Sequence, residues 1–351
     1  MDLQYIEQFQ KQLLNWYDGH ARILPWRDQP TPYRVWISEI MLQQTRVDTV
    51  KPYFERFTEE LPSIKELAEV PEDQLMKLWE GLGYYSRARN LKKAAVMIMD
   101  EFGGQLPSSF EELQSLPGIG PYTSGAIASI AFGSRVPAVD GNVLRVISRI
   151  TANQGDIASS SVKKEIEELV RALLPEQRAG DFNQALMELG ATVCLPNGLP
   201  KCDQCPVQTL CKGQQLGIAT QLPVKQRKKK RRIEEKTVFV IEHKGKIAVR
   251  RRNEDGLLSG LWEFPNIEGH LFYAQAERKL REWEIAPAGI LPMPNAKHIF
   301  THLEWHMIGY YIQAEQVEEN DAFVWATPTQ LREQYSIPTA FKAYTAFLKS
   351  I

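Results

Sequence analysis

Two carboxyl groups stand in contexts that favour opposite protonation states. Glu39, in "YRVWISEIMLQQT", lies on a helical pattern whose same-face neighbours are Val35, Trp36, Leu42 and Gln43, and a carboxyl set on so apolar a face is pushed toward its neutral form. The structural alternative is an ion pair with Arg34 or Arg87. Asp140 sits in "VDGN", directly before the helical pattern "VLRVISRI", where free amides and the helix dipole favour the ionised form. Its structural alternative is a plain N-cap. An acid beside a carboxylate is the pair that can protonate a leaving group while stabilising a cationic sugar.

All four cysteines of the chain fall in one segment, "VCLPNGLPKCDQCPVQTLC", with the spacing C-x7-C-x2-C-x5-C over Cys194, Cys202, Cys205 and Cys211. Unrelated buried cysteines would scatter, and thiols in a reducing compartment do not pair as disulfides, so the cluster reads as the ligand set of one metal centre. Spacing leaves both zinc and an iron-sulfur cluster open.

A third stretch, "LPGIGPYTSGAIASIAF" (116–132), crowds Pro117, Gly118, Gly120 and Pro121 ahead of a helix of small and apolar residues. A helix ending near Ser115, a Gly-Ile-Gly turn and a helix starting at Pro121 form a helix-hairpin-helix, with both glycines expected to free the backbone for positive φ. Bare amides at the head of the second helix can hold a phosphate without reading a base. The alternative is a tight corner with no ligand.

The elements that must position these residues are predicted to be helical through the first two hundred positions: 3–17, 34–45, 63–70, 72–80, 86–102, 109–115, 121–132, 143–151, 161–174 and 182–193 carry apolar residues at three- and four-residue intervals. Ser109 and Glu112 fit a capping box. "KQRKKKRR" (225–232) closes a linker and reads first as a solvated tether, with phosphate contact as the second reading. Beyond it, "TVFVIEHKGKIAVRRR" reads as strand, Lys-Gly turn and strand, with further strands near 297–313, so that 233–351 is a separate α+β domain.

The chain has 351 residues, 43% hydrophobic and 24% charged, with a formal net charge of −1. Length points to two or three domains, and the charge excludes a uniformly basic nucleic-acid binder while permitting a basic face balanced elsewhere. No stretch has the apolar length of a membrane span, and the start lacks the basic-then-apolar pattern of a secretory signal. The expectation is a cytoplasmic protein.

Taken together, "LPWR" (24–27), "WISEIMLQQT" (36–45), "GLGYYSRARNL" (81–91), "LPGIGPYT" (116–123), "VDGNVLRV" (139–146), "FNQALMELGA" (182–191) and the cysteine segment resemble the adenine DNA glycosylase (MutY) family of the helix-hairpin-helix DNA glycosylase superfamily, over nearly the whole chain. The resemblance implies a multidomain fold: an all-α glycosylase region at 1–212 with a [4Fe-4S] cluster on the four cysteines, a linker at 213–232, and a Nudix-like domain at 233–351. It implies excision of adenine opposite 8-oxoguanine or guanine in double-stranded DNA, by a monomer associated with the nucleoid of a bacterium.

Residue by residue, the resemblance makes Glu39 the acid that protonates adenine N7 and Asp140 the stabiliser of the sugar cation, with Tyr122 and Asn142 beside them. It places Arg27 and Gln184 at the adenine, Gln44 and Tyr84 as wedges in the duplex, and Gly118 and Gly120 on the DNA backbone. Phe300, Thr301 and His302 align with the loop that reads 8-oxoguanine. Three departures stand out. Thr301 replaces the usual serine, and the first cysteine loop is one residue longer than the family's C-x6-C. "GHLFYAQAERKLREWEI" lacks the paired glutamates that hold Mg²⁺ in Nudix hydrolases. Related enzymes that also cut the strand carry a lysine where this chain has Tyr122, which cannot form a Schiff base. A bifunctional glycosylase and lyase for oxidised pyrimidines, and a catalytically silent lesion binder, are the alternatives.

Overall fold

The computed structural model describes residues 2–225, 230–253, 256–318 and 322–348. The chain divides into two compact units, one of Met1–Glu69 with Arg89–Lys228 and one of Val70–Ala88 with Lys229–Ile351. Among the described residues, no helix is long and apolar enough to cross a membrane.

The first unit is helical. The elements used below are α1 (Leu3–His20), α2 (Pro32–Leu42), α3 (Val47–Glu60), α4 (Phe110–Ser115), α5 (Pro121–Phe132), α6 (Gly141–Thr151), α7 (Ser160–Leu173) and α8 (Ala179–Thr192). Helix α2 starts with Thr31 as cap, its side chain accepting from the Arg34 amide, and with Pro32 in the first turn, where a proline costs no hydrogen bond. Tyr33 and every residue from Val35 to Met41 are buried. So complete a burial leaves Glu39 no solvent-facing side to escape to. Helix α3 is absent from the sequence expectation because Pro52 interrupts its pattern. Val50, Phe54 and Phe57 nevertheless bury one stripe of α3, and that packing holds the helix through the proline.

The helix-hairpin-helix is present as α4, a turn and α5. Of its two glycines only Gly118 needs the left-handed region, at φ 80°, and a Cβ there would lie 2.7 Å from the Asn90 Cβ. Gly120 is extended, at φ −96°, and caps α5; nothing lies within 4 Å of where its Cβ would stand. The expectation of positive φ at both glycines is therefore corrected for Gly120, whose use is bareness rather than backbone freedom. Further along α5, Gly125 meets the chain that leads to Asp140: a Cβ there would sit 2.1 Å from the Pro137 carbonyl oxygen. The small residues of α5 thus let the helix press against the segment that carries the second carboxyl.

After the cysteine loop the chain keeps packing on this unit. Leu222 is buried, and Asp156 and Val224 form an isolated parallel bridge. In "KQRKKKRR", residues 226–229 lie outside the described residues. Arg231 pairs with Glu304 at 3.5 Å and Arg232 with Glu234, so these two cations are held by carboxylates.

The second unit is built on a mixed sheet of β1 (Arg232–His243), β2 (Lys246–Arg251), β3 (Trp262–Glu263), β4 (Asn266–Glu268), β5 (Ile285–Ile299), β6 (Leu303–Val317) and β7 (Val324–Ala326). The order is β3-β2-β1-β6-β5, with β4 on β1 and β7 on β2. Among the described strands of this sheet, β1 and β6 alone pair in parallel. Val238 and Val240 face a core with Phe264, Trp305, Phe341 and Tyr344, while Phe239 and Ile241 face one with Ala276 and Leu280 of α9 (Tyr273–Glu282). That alternation is the period of two expected of a strand buried on both faces. The strands predicted near 297–313 are the end of β5 and most of β6, with a turn at 300–302. The proline-broken run 285–296 gave no strand signal; register shifts fall at Pro287 and between Met293 and Ala296, around Pro294, while Pro292 pairs in register with Tyr310.

Residues 70–88, though remote in sequence, belong to this unit. The Ile337 amide donates to Glu80 Oε1 at 2.9 Å, and Lys77 Nζ donates to the Tyr335 carbonyl at 3.2 Å.

Gly125→Ala should lower stability by about 2 kcal/mol or more, because the clash is with backbone that leads into the site. Gly19→Ala, in α1 with nothing within 4 Å, should be neutral or stabilising by up to about 1 kcal/mol. Thermal and urea unfolding of the two variants measures the contrast.

Candidate active site

One cavity of about 1020 Å³ opens in the helical unit, and Arg27, Glu39, Gln44, Gly120, Tyr122, Asp140, Asn142 and Gln184 all line it. These come from five separate stretches of sequence. Glu39, 6% exposed, receives a hydrogen bond of 2.5 Å from the Tyr122 hydroxyl. Tyr122 stands in the first turn of α5, so the hairpin delivers the phenol to the carboxyl. Burial pushes the Glu39 carboxyl up to about 7; the negative charge of Asp140 adds to this, and the Tyr122 bond and the Arg27 charge oppose it. Among the described residues, the structural alternative of an ion pair with Arg34 is not taken up. Arg34 donates to the Pro25 carbonyl and lies over the Phe54 ring, and Arg87 donates to the carbonyls of Leu82 and Gly83.

Asp140 is the N-cap of α6, accepting from the Val143 amide at 2.8 Å through Oδ1. Asn142 Nδ2 donates to its other oxygen at 2.7 Å. Burial raises the Asp140 carboxyl above its ordinary value, and the bonds from Val143 and Asn142 and the charge of Arg145 pull it back. The expectation that its helix-terminal place would lower it is thus corrected, since desolvation outweighs the dipole. What separates the two groups is the number of donors: Glu39 has one phenol, Asp140 an amide, a carboxamide and a nearby guanidinium.

Behind Asp140 runs a chain of bonds. Arg145 Nη2 donates to Asn142 Oδ1 at 2.9 Å and to the Gly190 carbonyl at 2.9 Å, and Arg145 Nε donates to the Cys194 carbonyl at 2.9 Å. The first cysteine of the metal-type segment and the capped carboxylate are therefore joined through two side chains.

On another wall, Arg27 Nε donates to Gln184 Oε1 at 3.2 Å, and Arg27 Nη2 pairs with Glu188 at 2.9 Å. Arg22 pairs with the same carboxylate at 2.5 Å. Glu188 is 1% exposed, and these two guanidinium groups hold its carboxyl below the usual range against the opposing effect of burial. Sequence reading singled out Arg27 and Gln184 and missed Glu188. Its signal was its place one helical turn after Gln184 in "FNQALMELGA", on the same face.

Of the other expected residues, only Gln44 lines the cavity among the described residues. Gly118, at the left-handed turn of the hairpin, is not among the residues lining the cavity. Gln44 and Tyr84 both adopt left-handed backbone, at φ 57° and 49°, a conformation that costs a non-glycine residue free energy and concentrates at functional sites. Tyr84, in the second unit, is 46% exposed, and its hydroxyl lies 3.1 Å from Thr301 Oγ1. Phe300 packs edge-on against His298 and Trp305, while Thr301 and His302 are exposed in the turn between β5 and β6. Glu263 of "GLWEFPN" is clamped by Arg250 at 2.9 Å and by Arg252, and Glu277 and Glu282 of α9 pair with Arg281 and Lys279. These acids are occupied by cations of the chain itself.

Residues 37–172 match the family described as HhH-GPD superfamily base excision DNA repair protein, and residues 237–346 match a NUDIX domain. An adenine DNA glycosylase of Rattus norvegicus is 36% identical over 86% of this chain and 70% of its own length. One of Schizosaccharomyces pombe is 32% identical over 98% of this chain and 90% of its own length. The chain belongs to the adenine DNA glycosylase family. Among solved structures, a thermostable thymine-DNA glycosylase aligns with a TM-score of 0.54 at 29% identity, over 61% of this chain and 98% of that one. A non-covalent endonuclease III–DNA complex aligns with a TM-score of 0.53 over 62% of this chain and 99% of that one; at 24% identity it shows the shared fold alone.

In this member of the adenine DNA glycosylase family the four cysteines line one small cavity, with Val146, Arg149, Leu189 and Val193 among its walls. None of the four is joined in a disulfide, and burial pushes Cys205 up to about 12. Among the described residues, no group of three or more His, Cys, Asp or Glu side chains converges to hold a single metal ion.

The raised carboxyl has a consequence for stability. A Glu39 that titrates near 7 when folded, against 4.5 when exposed, contributes its full stability below about 4.5, and that contribution is lost as pH rises through 7. The cost of burying the ionised form is on the order of 3 kcal/mol. Glu39→Gln removes it, so the Tm of the variant relative to the unsubstituted protein should climb between pH 5 and pH 8. Paired thermal scans at the two pH values read the difference.

Proposed function

We propose that this chain is a monofunctional DNA glycosylase that excises adenine paired with 8-oxoguanine, and with guanine, from double-stranded DNA, acting as a monomer. The observation that carries this reading is the buried Glu39–Tyr122 pair in one cavity with the capped carboxylate of Asp140. In it, residues 1–212 perform the chemistry, 213–232 connect, and 233–351 read the base opposite the adenine.

The target adenosine must leave the stack to reach a cavity of this kind. Glu39, still about half protonated at pH 7, protonates adenine N7, and the base departs as a neutral molecule. Asp140, ionised by its amide, Asn142 and Arg145 partners, stabilises the positive charge that develops on the sugar, and water adds at C1′. Tyr122 holds the acid, and Asn142 fixes which oxygen of Asp140 faces the sugar. Arg27 and Gln184 hold the adenine edge, pre-aligned by Glu188. Gln44 and Tyr84 enter the duplex as it opens, and the bare amides at Gly118 and Gly120 grip a phosphate.

Phe300, Thr301 and His302 read the oxidised guanine. Thr301 retains the hydroxyl of the family's serine, and its contact with Tyr84 supports a role at the same base pair.

Cys194, Cys202, Cys205 and Cys211 fit a [4Fe-4S] cluster, because all four line one small cavity and four cysteine thiolates are the donor set such a cluster takes. Such a cluster supplies structural cross-linking of the loop and carries no step of the reaction. Anaerobically purified protein should show broad visible absorbance and bind iron and sulfide rather than zinc.

Single-turnover cleavage of a labelled duplex with one A opposite 8-oxoguanine, beside an A·T control, tests the activity. Strand breaks on the A strand only after alkali are expected. Breaks without alkali would return the lyase reading, with Lys163, the one lysine lining the cavity, as its candidate amine. Glu39→Gln should bind the duplex and lose at least about 100-fold in rate. Normal release by that variant would overturn the acid assignment. The rate should fall above about pH 7 as Glu39 deprotonates, and also at acidic pH as Asp140 takes up a proton.

A further inference from the structure

Arg149 stands at the centre of the cysteine loop's supports. It belongs to α6, the helix that Asp140 caps, and it is 3% exposed. Its Nη1 donates to Cys194 Sγ at 3.2 Å and to the Leu195 carbonyl at 2.9 Å, and its Nε donates to the Leu222 carbonyl at 2.9 Å. Its own carbonyl lies 3.4 Å from Cys211 Sγ. One residue therefore touches the first and last cysteines of the set and the chain that leaves it.

Among the described residues, no carboxylate lies within ion-pair distance of this guanidinium. A buried cation without an anionic partner costs several kcal/mol. Four thiolates around an iron-sulfur core leave a net negative charge, which is the counter-ion that the site otherwise lacks. Arg145, the neighbouring arginine of α6, meets the cysteine segment at the carbonyl of Cys194 and spends its other donors on Asn142, Gly190 and Gly141. The direct donor to sulfur is Arg149.

We infer that Arg149 sets the reduction potential of the cluster and protects it against oxidation. The inference rests on the reading of the four cysteines as iron-sulfur ligands. A positive charge and an N–H donor at a ligand sulfur stabilise the electron-rich state, so loss of an electron from the cluster becomes harder. Arg149 is a positioning and tuning residue; it touches neither the base nor the sugar.

The test uses the full chain with the Arg149→Gln and Arg149→Lys variants, purified without oxygen and checked by circular dichroism and by iron and sulfide content. The midpoint potential for one-electron oxidation is read at an electrode, which takes up the electron, and the loss of visible absorbance is followed in air. Arg149→Gln should have a lower potential and bleach faster. Arg149→Lys, whose shorter side chain withdraws the charge from the sulfur, should fall between it and the unsubstituted protein. If Arg149→Gln does not fold, a lowered potential in Arg149→Lys still supports the inference. A folded, fully loaded variant with an unchanged potential overturns it. Absence of iron and sulfide from the unsubstituted protein overturns the cluster reading itself, an outcome distinct from an unchanged potential.

Discussion

The site depends on keeping one carboxyl out of water. Glu39 lies on a helix buried along nearly its whole length, and among the described residues the Tyr122 phenol alone hydrogen-bonds its carboxyl. A carboxylate there would be poorly solvated, so the proton stays on to about pH 7. The surrounding architecture serves that arrangement. Thr31 and Pro32 start α2 at the right place, and the hairpin brings Tyr122 across from a segment over eighty residues away. Bulk at Gly125 would disturb the approach of α5 to the chain leading to Asp140.

Asp140 shows the complementary solution to the same problem. It too is buried, but an N-cap amide and Asn142 satisfy both oxygens, and Arg145 anchors Asn142 to the carbonyl of Cys194. Two carboxyls in one cavity are thus distinguished by how many donors each receives, not by burial. The cysteine segment lies at the far end of that chain, which gives the loop a mechanical bearing on the site although it lies outside the cavity. Burying the acid also withholds stability at neutral pH, a cost commonly found where a site is built for chemistry.

Much of this was legible in the sequence. The apolar neighbours of Glu39, the cap position of Asp140 and the Pro-Gly hairpin follow from local periodicity and turn chemistry, and the alternation of "TVFVIEHKGKIAVRRR" announces β1 and β2. What escaped were features decided by tertiary contact. Helix α3 is held by Val50, Phe54 and Phe57 in spite of Pro52, and β5 runs through its prolines with shifts of register. Glu188 of α8 was not singled out, because the closing of Arg22 and Arg27 on it is a tertiary contact. The direction of the Asp140 shift was misjudged because the helix terminus is visible in sequence and the depth of burial is not. The membership of residues 70–88 in the sheet unit has no local signal at all.

The central claim is that Glu39 holds its proton near neutral pH. It is tested most directly by labelling the glutamate carboxyls with carbon-13 and following their resonances across pH, with the Glu39 signal assigned by its loss in the Glu39→Gln variant. The account predicts a carboxyl that titrates near 7. A Glu39 signal that moves with the exposed glutamates near 4.5 would contradict it, and would leave the cavity with two carboxylates and no acid at neutral pH.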